Sequence, residues 1–152
     1  MGVFVNLNLS AVDAADAIQQ LVGGVAQQAA VKDSAQMLTD ILMRELILTT
    51  YVGEGVALPH ARTDAVTSRV VAVGRSPAGV LFGPKRDIAH LIVLVGCPRA
   101  EISDYLQFSK LLLRRLRQPL VRSELMTATN ADTFLKLLEL SDVTTAAGPA
   151  AP

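Results

Sequence analysis

Residues 91–95 read Leu-Ile-Val-Leu-Val, an apolar run with no polar interruption. A strand with one wet face alternates apolar and polar side chains, because successive Cβ atoms point to opposite sides of the sheet. A run without alternation implies a strand covered on both faces. The covering material is legible on either side of it. Ile18, Leu21, Val22 and Val25 recur at helical spacing after a cap at Ser10 or Asp13, with Gly23-Gly24 weakening that helix near its end. A second helix starts at Asp33 or Ser34, presents Leu38, Ile41 and Leu42, and ends between Arg44 and Ile47. Downstream, a long helix is expected over 103–117, with a core stripe of Tyr105 or Leu106, Ser109, Leu112, Leu113 and Leu116. Pro119 stops it; a short helix over 120–127 and a last one from Asn130 to Leu140 follow.

The remaining strands are shorter. Residues 3–9 alternate toward their end, as an edge strand does. Val56, Ala57 and Leu58 form another, which Pro59 keeps from continuing as a regular central ladder. Residues 69–73 and 80–82 read as two strands joined by a turn at Ser76-Pro77-Ala78-Gly79. Helices precede, interrupt and follow the strands, so the expected fold class is α/β, a mixed central β-sheet flanked by helices on both faces. Residues 1–140 make one domain, and 141–152 an Ala/Pro-rich tail, disordered or a linker.

Composition narrows the function classes. Hydrophobic residues make up 51% of the 152, aromatics only 4%, and tryptophan is absent, which suits an alanine- and leucine-rich α/β domain. Fourteen basic residues balance fourteen acidic ones, so no global field favours nucleic acid or an anionic membrane, and nucleic acid is set aside as a partner. Cys97 is the only cysteine, which excludes an internal disulfide; it reads as small core filler at the end of the apolar strand. No apolar run approaches the roughly 18 residues of a membrane span. The start lacks a signal-peptide pattern, and Asn6 stands where myristoylation after Gly2 wants Ser or Thr. A cytoplasmic protein without membrane insertion is expected.

Two histidines narrow the choice of reactive imidazole. His90 precedes the apolar run and reads as a strand-entry residue satisfied by hydrogen bonds. His60 lies in Gly53-Glu54-Gly55-Val56-Ala57-Leu58-Pro59-His60-Ala61-Arg62, on a loop at a strand end. A phosphoryl carrier needs an accessible, neutral nucleophile held in one tautomer, with cationic or N–H donors for the phosphoryl oxygens. Pro59 fixes the backbone before His60, and Gly53 and Gly55 allow close backbone approach. Arg44 and Arg62 are candidate guanidinium clamps, and Thr49 or Thr50 can supply a hydroxyl. Each has a plainer reading: Arg44-Glu45 as charges at a helix end, Arg62 as a solvated loop residue. Arg114, Arg115, Arg117 and Arg122 read as the wet face of a helix rather than a docking patch for an acidic partner. A hydrolase using His60 as base lacks an evident serine, cysteine or paired carboxylate beside it.

Arg44-Glu45, a later threonine, Gly-x-Gly-x-Ala-x-Pro-His and Arg62 together resemble the active-site motif of the IIA domains of the fructose/mannitol class of the bacterial phosphotransferase system, including its nitrogen-regulatory branch. A looser likeness extends from about Asn6 to Leu140. The resemblance implies that His60 accepts a phosphoryl group from HPr and passes it to a cysteine of a IIB partner. It implies a protein-histidine phosphotransferase, and the chemistry calls for no metal or organic cofactor. It also implies Arg44 beside the phosphoryl group, with Thr50 and the Gly53–Gly55 loop shaping the pocket. Family members usually carry a second histidine at the start of the helix after the apolar strand, before Leu-Gln. Here the matching words are Tyr105-Leu106-Gln107, so tyrosine takes that place, or Asp104 if the alignment slips by one. Tyrosine donates one neutral hydrogen bond and brings no positive charge. The tail and this replacement favour a second role, a regulatory module attached to a transporter or regulator that senses a ligand or phosphorylation state.

Overall fold

The computed structural model describes residues 2–140, so the tail expected at 141–152 lies outside the described residues. In chain order the elements are β1 (Phe4–Asn6), α1 (Ala14–Val25), α2 (Ser34–Ile47), β2 (Tyr51–Gly53), β3 (Val56–Ala57), β4 (His60–Arg62), β5 (Val70–Phe82), β6 (Asp87–Cys97), α3 (Ile102–Leu116), α4 (Pro119–Thr127) and α5 (Ala131–Leu137). Asp13, Asp33 and Asn130 cap α1, α2 and α5, each accepting a backbone N–H three residues on. Pro119 opens α4 at its first turn, where a missing N–H costs nothing.

The sheet runs β1-β5-β6-β3-β2, with β4 also on β6. It is mixed: β1 on β5 and β3 and β4 on β6 are parallel, whereas β5 on β6 and β2 on β3 are antiparallel. The apolar run divides between two cores, as its pattern requires. Ile92 and Leu94 join α1 and α2 through Ile18, Leu21, Met37 and Ile41. Leu91, Val93 and Val95 join α3, α4 and α5 through Phe108, Leu112, Leu125 and Phe134. Each fully buried Val, Leu or Ile contributes about 1.5–3 kcal/mol, so this one strand anchors both helical layers. Among the described residues no helix is long and apolar enough to cross a membrane.

Four expectations need correction. Ser76–Gly79 is not a turn between two strands: β5 is continuous, and these residues form a bulge opposite His90, with Arg75 paired to Leu91 and Val80 to Ala89. Ser76 Oγ accepts the Gly79 N–H (3.0 Å), and Gly79 takes φ +93°, so the turn-forming residues kink one strand without reversing it. The chain reverses later, at Gly83–Arg86, where Arg86 N–H donates to Gly83 O (3.1 Å). In α3 the buried stripe is Phe108, Leu112 and Leu116 with Tyr105 half-buried, whereas Leu106 is exposed. In α2 Met37 is buried beside Ile41, and Leu38 and Leu42 pack from the flank. The last helix ends at Leu137, because Glu139 adopts φ +61°.

Candidate functional site

His60 lies in a strand, not in a loop. Pro59 has no N–H to donate, so the strand beside β6 is interrupted there, and β3 and β4 pair with successive stretches of β6. The Pro59 carbonyl accepts the Val95 N–H across the gap (3.0 Å). His60 then pairs with Val95 and Arg62 with Cys97, at the carboxyl end of both strands. Residues two apart share one face of a strand, so His60 and Arg62 point together while Ala61 is buried on the other side.

A series of hydrogen bonds fixes the imidazole. Glu45, in the last turn of α2, accepts both the N–H (3.0 Å) and the hydroxyl (2.6 Å) of Thr50. The Thr50 carbonyl accepts the Leu58 N–H (3.1 Å). The Leu58 carbonyl lies 2.8 Å from His60 Nδ1. A carbonyl oxygen can only accept, so Nδ1 holds the proton and Nε2 keeps a free lone pair. Burial pulls the His60 pKa below its ordinary value. The Leu58 bond opposes that pull, the Arg44 charge adds to it and Glu45 opposes it. The ring is therefore neutral at physiological pH, with Nε2 unprotonated.

His60 opens into a cavity of about 390 Å³. Its charged lining is Arg44, Arg62, Arg99 and Asp40. Arg44 is held by Nη1 donation to the Leu48 carbonyl (2.8 Å), which satisfies an open acceptor at the end of α2. Asp40 accepts from Thr63 (2.6 Å) and Gln36 (2.8 Å). Tyr105, from the first turns of α3, sets its ring 5.1 Å from the His60 ring at an interplanar angle of 32°. Burial raises the Tyr105 pKa against a lowering hydrogen bond with Ser109, so its hydroxyl stays protonated. Asp104 pairs instead with Arg69, whose guanidinium also lies 4.2 Å over the Phe108 ring.

Of the residues singled out in the sequence, Arg44, His60, Arg62 and Tyr105 line one cavity. Thr50 does not: it is buried and spends its hydroxyl on Glu45, acting on His60 only through Leu58. Thr49 caps its own neighbour, its hydroxyl accepting the Tyr51 N–H (3.2 Å). Gly53 and Gly55 also lie elsewhere. With φ +100° and +76° they make the turn between β2 and β3, and Gly55 accepts the N–H groups of His90 (2.8 Å) and Leu91 (3.0 Å). Val56 pairs with Leu91 and His60 with Val95, so roughly 13 Å of strand separates that turn from His60. Arg99 went unrecognised in the sequence. Its signal is its place just beyond the apolar strand, since crevices of α/β sheets open at the carboxyl ends of strands.

His90 donates from Nδ1 to the Ser76 carbonyl (2.9 Å). Within the basic cluster, Arg115 donates to the Leu137 carbonyl (2.8 Å) and Arg122 to the Leu116 carbonyl (3.0 Å), while Arg114 and Arg117 are exposed. Among the described residues no cluster of His, Cys, Asp and Glu is arranged to hold a metal ion.

A neutral imidazole with one free nitrogen, in a cationic crevice of a helix-covered mixed sheet, places the chain among α/β proteins equipped to handle anionic groups at a histidine. Comparison with known proteins gives the family. The family model described as "Phosphoenolpyruvate-dependent sugar phosphotransferase system, EIIA 2" matches residues 3–141, and the chain belongs to that family. It is 36% identical over 123 residues to the "PTS system fructose-specific EIIA component" of Haloferax volcanii, covering 80% of this chain and 80% of that one. Its fold matches IIA-Ntr of Neisseria meningitidis with a TM-score of 0.81 at 22% identity, covering 88% of this chain and 92% of that one. It also matches the Escherichia coli enzyme IIAMtl solved in complex with phosphorylated IIBMtl, with a TM-score of 0.77 at 27% identity, covering 89% and 93%.

Proposed function

We propose that the chain is a phosphoryl carrier in which His60 Nε2 takes a phosphoryl group from an HPr-like phosphoprotein and gives it to a IIB-like partner. The observation that carries this reading is the Nδ1–Leu58 hydrogen bond, which leaves a neutral Nε2 facing Arg44 and Arg62. In the first step Nε2 attacks phosphorus, the donor's P–N bond breaks, and the donor imidazole leaves with the electron pair. The Leu58 carbonyl stabilises the positive charge that develops on the His60 ring, and the arginines hold the phosphoryl oxygens. In the second step a thiolate of the partner attacks phosphorus, and the P–Nε2 electron pair returns to the ring. No redox change occurs and no cofactor is needed. The chain is thus a protein-histidine phosphotransferase whose working unit is residues 1–140, acting in the cytoplasm.

The rim supports protein partners. Met43 (58% exposed), Leu46 (81%), Ile47 (80%) and Leu48 (66%) cluster at the end of α2, where Met43 and Ile47 line the cavity, and Ile102 (36%) lines it from α3. An apolar collar around a cationic pocket suits docking of a phosphoprotein better than capture of a small hydrophilic ligand. The relative solved with phosphorylated IIBMtl supports the acceptor class.

Labelling with phosphoenolpyruvate, enzyme I and HPr tests the reading. The expected product is an acid-labile, alkali-stable phosphoryl group that His60→Ala removes. Absence of label under conditions that label a standard IIA domain would sink it. A second reading, favoured by Tyr105 at the position where a second histidine is expected, is a regulatory module attached to a transporter or regulator. It predicts labelling of His60 without onward transfer to a IIB domain.

A further inference from the structure

The following inference rests on the reading of His60 as phosphoryl acceptor and adds a residue to it. A phosphoryl group brings a charge of about −1.5 to −2 to the cavity. Arg44 answers it from the end of α2 and Arg62 from β4. The third wall, where β6 passes into α3, supplies Tyr105, a neutral ring. The cation on that wall is Arg99.

Arg99 is also loosely held, by a single exposed ion pair. It sits on the short turn between β6 and α3, where Glu101 N–H donates to Pro98 O (3.0 Å). Its partner is Asp64, Nε to Oδ2 at 3.5 Å, and the two side chains are 60% and 84% exposed. Exposed pairs of this kind are weak and screened by salt. Among the described residues neither terminal guanidinium nitrogen of Arg99 has a hydrogen-bond partner, so both donors of its fork are open to a phosphoryl oxygen pair.

We propose that Arg99 is a phosphoryl-binding residue: when His60 is phosphorylated it exchanges Asp64 for the phosphoryl oxygens and supplies the positive charge that Tyr105 does not. The first test loads His60 chemically with phosphoramidate, in which the P–N bond breaks, ammonia leaves and the P–Nε2 bond forms. The phosphoryl group is then titrated by its ³¹P shift. Removing a cation at contact distance raises the phosphoryl pKa, so Arg99→Gln is expected to shift it upward by about one unit. Arg99→Lys keeps most of the depression. Tyr105→His in the Arg99→Gln background brings it back when the new ring is charged, a rescue that a merely structural role of Arg99 does not produce. Transfer from phospho-HPr falls about tenfold in Arg99→Gln.

The second test needs no phosphorylation. Inorganic phosphate is added to the free protein and followed by the ring-proton shifts of His60. Arg99→Gln is expected to weaken the response about tenfold, and Asp64→Asn to strengthen it. An unchanged phosphoryl titration and an unchanged phosphate response in Arg99→Gln overturn the proposal. If neither HPr nor phosphoramidate labels His60, the carrier reading fails instead, and the phosphate response still decides the place of Arg99.

Discussion

His60 and His90 are tied in the same way and placed in different surroundings. Each donates Nδ1–H to a backbone carbonyl, Leu58 at 2.8 Å and Ser76 at 2.9 Å, so each presents Nε2. Each borders a cavity of similar size, about 390 Å³ and 330 Å³. The cavity at His60 holds three arginines against one carboxylate. The cavity at His90 holds one arginine, Arg122, against one carboxylate, Glu54, and Arg122 already serves the Leu116 carbonyl (3.0 Å) and Glu54 (3.8 Å). Tautomer control is thus common to both rings. What separates the proposed phosphoryl site from the other histidine is the number of cations lining its cavity.

The largest expected effect follows directly. His60→Gln abolishes phosphoryl labelling, whereas His90→Gln retains it at close to the parent level, both read by acid-labile incorporation from phospho-HPr. Label persisting in His60→Gln, or lost in a folded His90→Gln, breaks the comparison. The arginines come next. Arg44→Gln removes a guanidinium that lines the cavity and is expected to slow acceptance about 100-fold. Arg122→Gln, at the other cavity, leaves acceptance unchanged, and stopped quench assays on both variants compare the two.

That contrast was partly legible in the sequence. The Leu91–Val95 run announced a strand with two covered faces because burial on both sides removes polar alternation, and the two cores divide its side chains accordingly. His60 and Arg62 were legible from residue type, an imidazole presented by a proline with a guanidinium two residues on, but they read as a loop where the structure sets both on one face of β4. The glycines misled for a physical reason: Gly53 and Gly55 are demanded by positive φ at a hairpin turn, and short range along the chain became long range along the strand. Ser76–Gly79 carried every turn signal, yet the continuous ladder on β6 converted it into a bulge. In α3 the competing leucines hid the phase, since Leu106 and Leu111 are exposed while Phe108 faces the core. Arg99 lies far from His60 in sequence, and only the parallel pairing of β4 with β6 brings its turn to the site.

The struts behind the two rings give a smaller contrast. Thr50→Val deletes a hydroxyl that donates to the Glu45 carboxylate (2.6 Å), a charge-assisted bond behind Leu58 and His60. The expected loss is about 1.5–3 kcal/mol in urea unfolding, with slower phosphoryl acceptance as the Leu58 carbonyl loosens. Ser76→Ala removes a neutral bond to the Gly79 N–H (3.0 Å) in the bulge beside His90. It costs about 0.5–1.5 kcal/mol and leaves acceptance unchanged. Equal effects on acceptance would show that the hydrogen-bond series from Glu45 does not govern His60.

The smallest effect is the one with pH. Burial, the main cause, holds the His60 pKa below its ordinary value near 6.5, so at pH 6.5 more than half of the rings remain neutral. Acceptance at that pH therefore keeps over half of its alkaline plateau, and a midpoint above 6.5 in the rate profile would contradict the buried, Arg44-facing ring. Stability carries the same sign. Between the depressed folded pKa and the ordinary unfolded one, the unfolded chain binds more protons at this site than the folded chain does. Stability thus rises with pH across that window and declines as pH falls through it. His60→Gln removes this dependence, which denaturant unfolding of the two proteins at pH 5 to 7.5 measures. Arg44→Gln narrows the window, because it takes away a positive charge that disfavours the protonated ring.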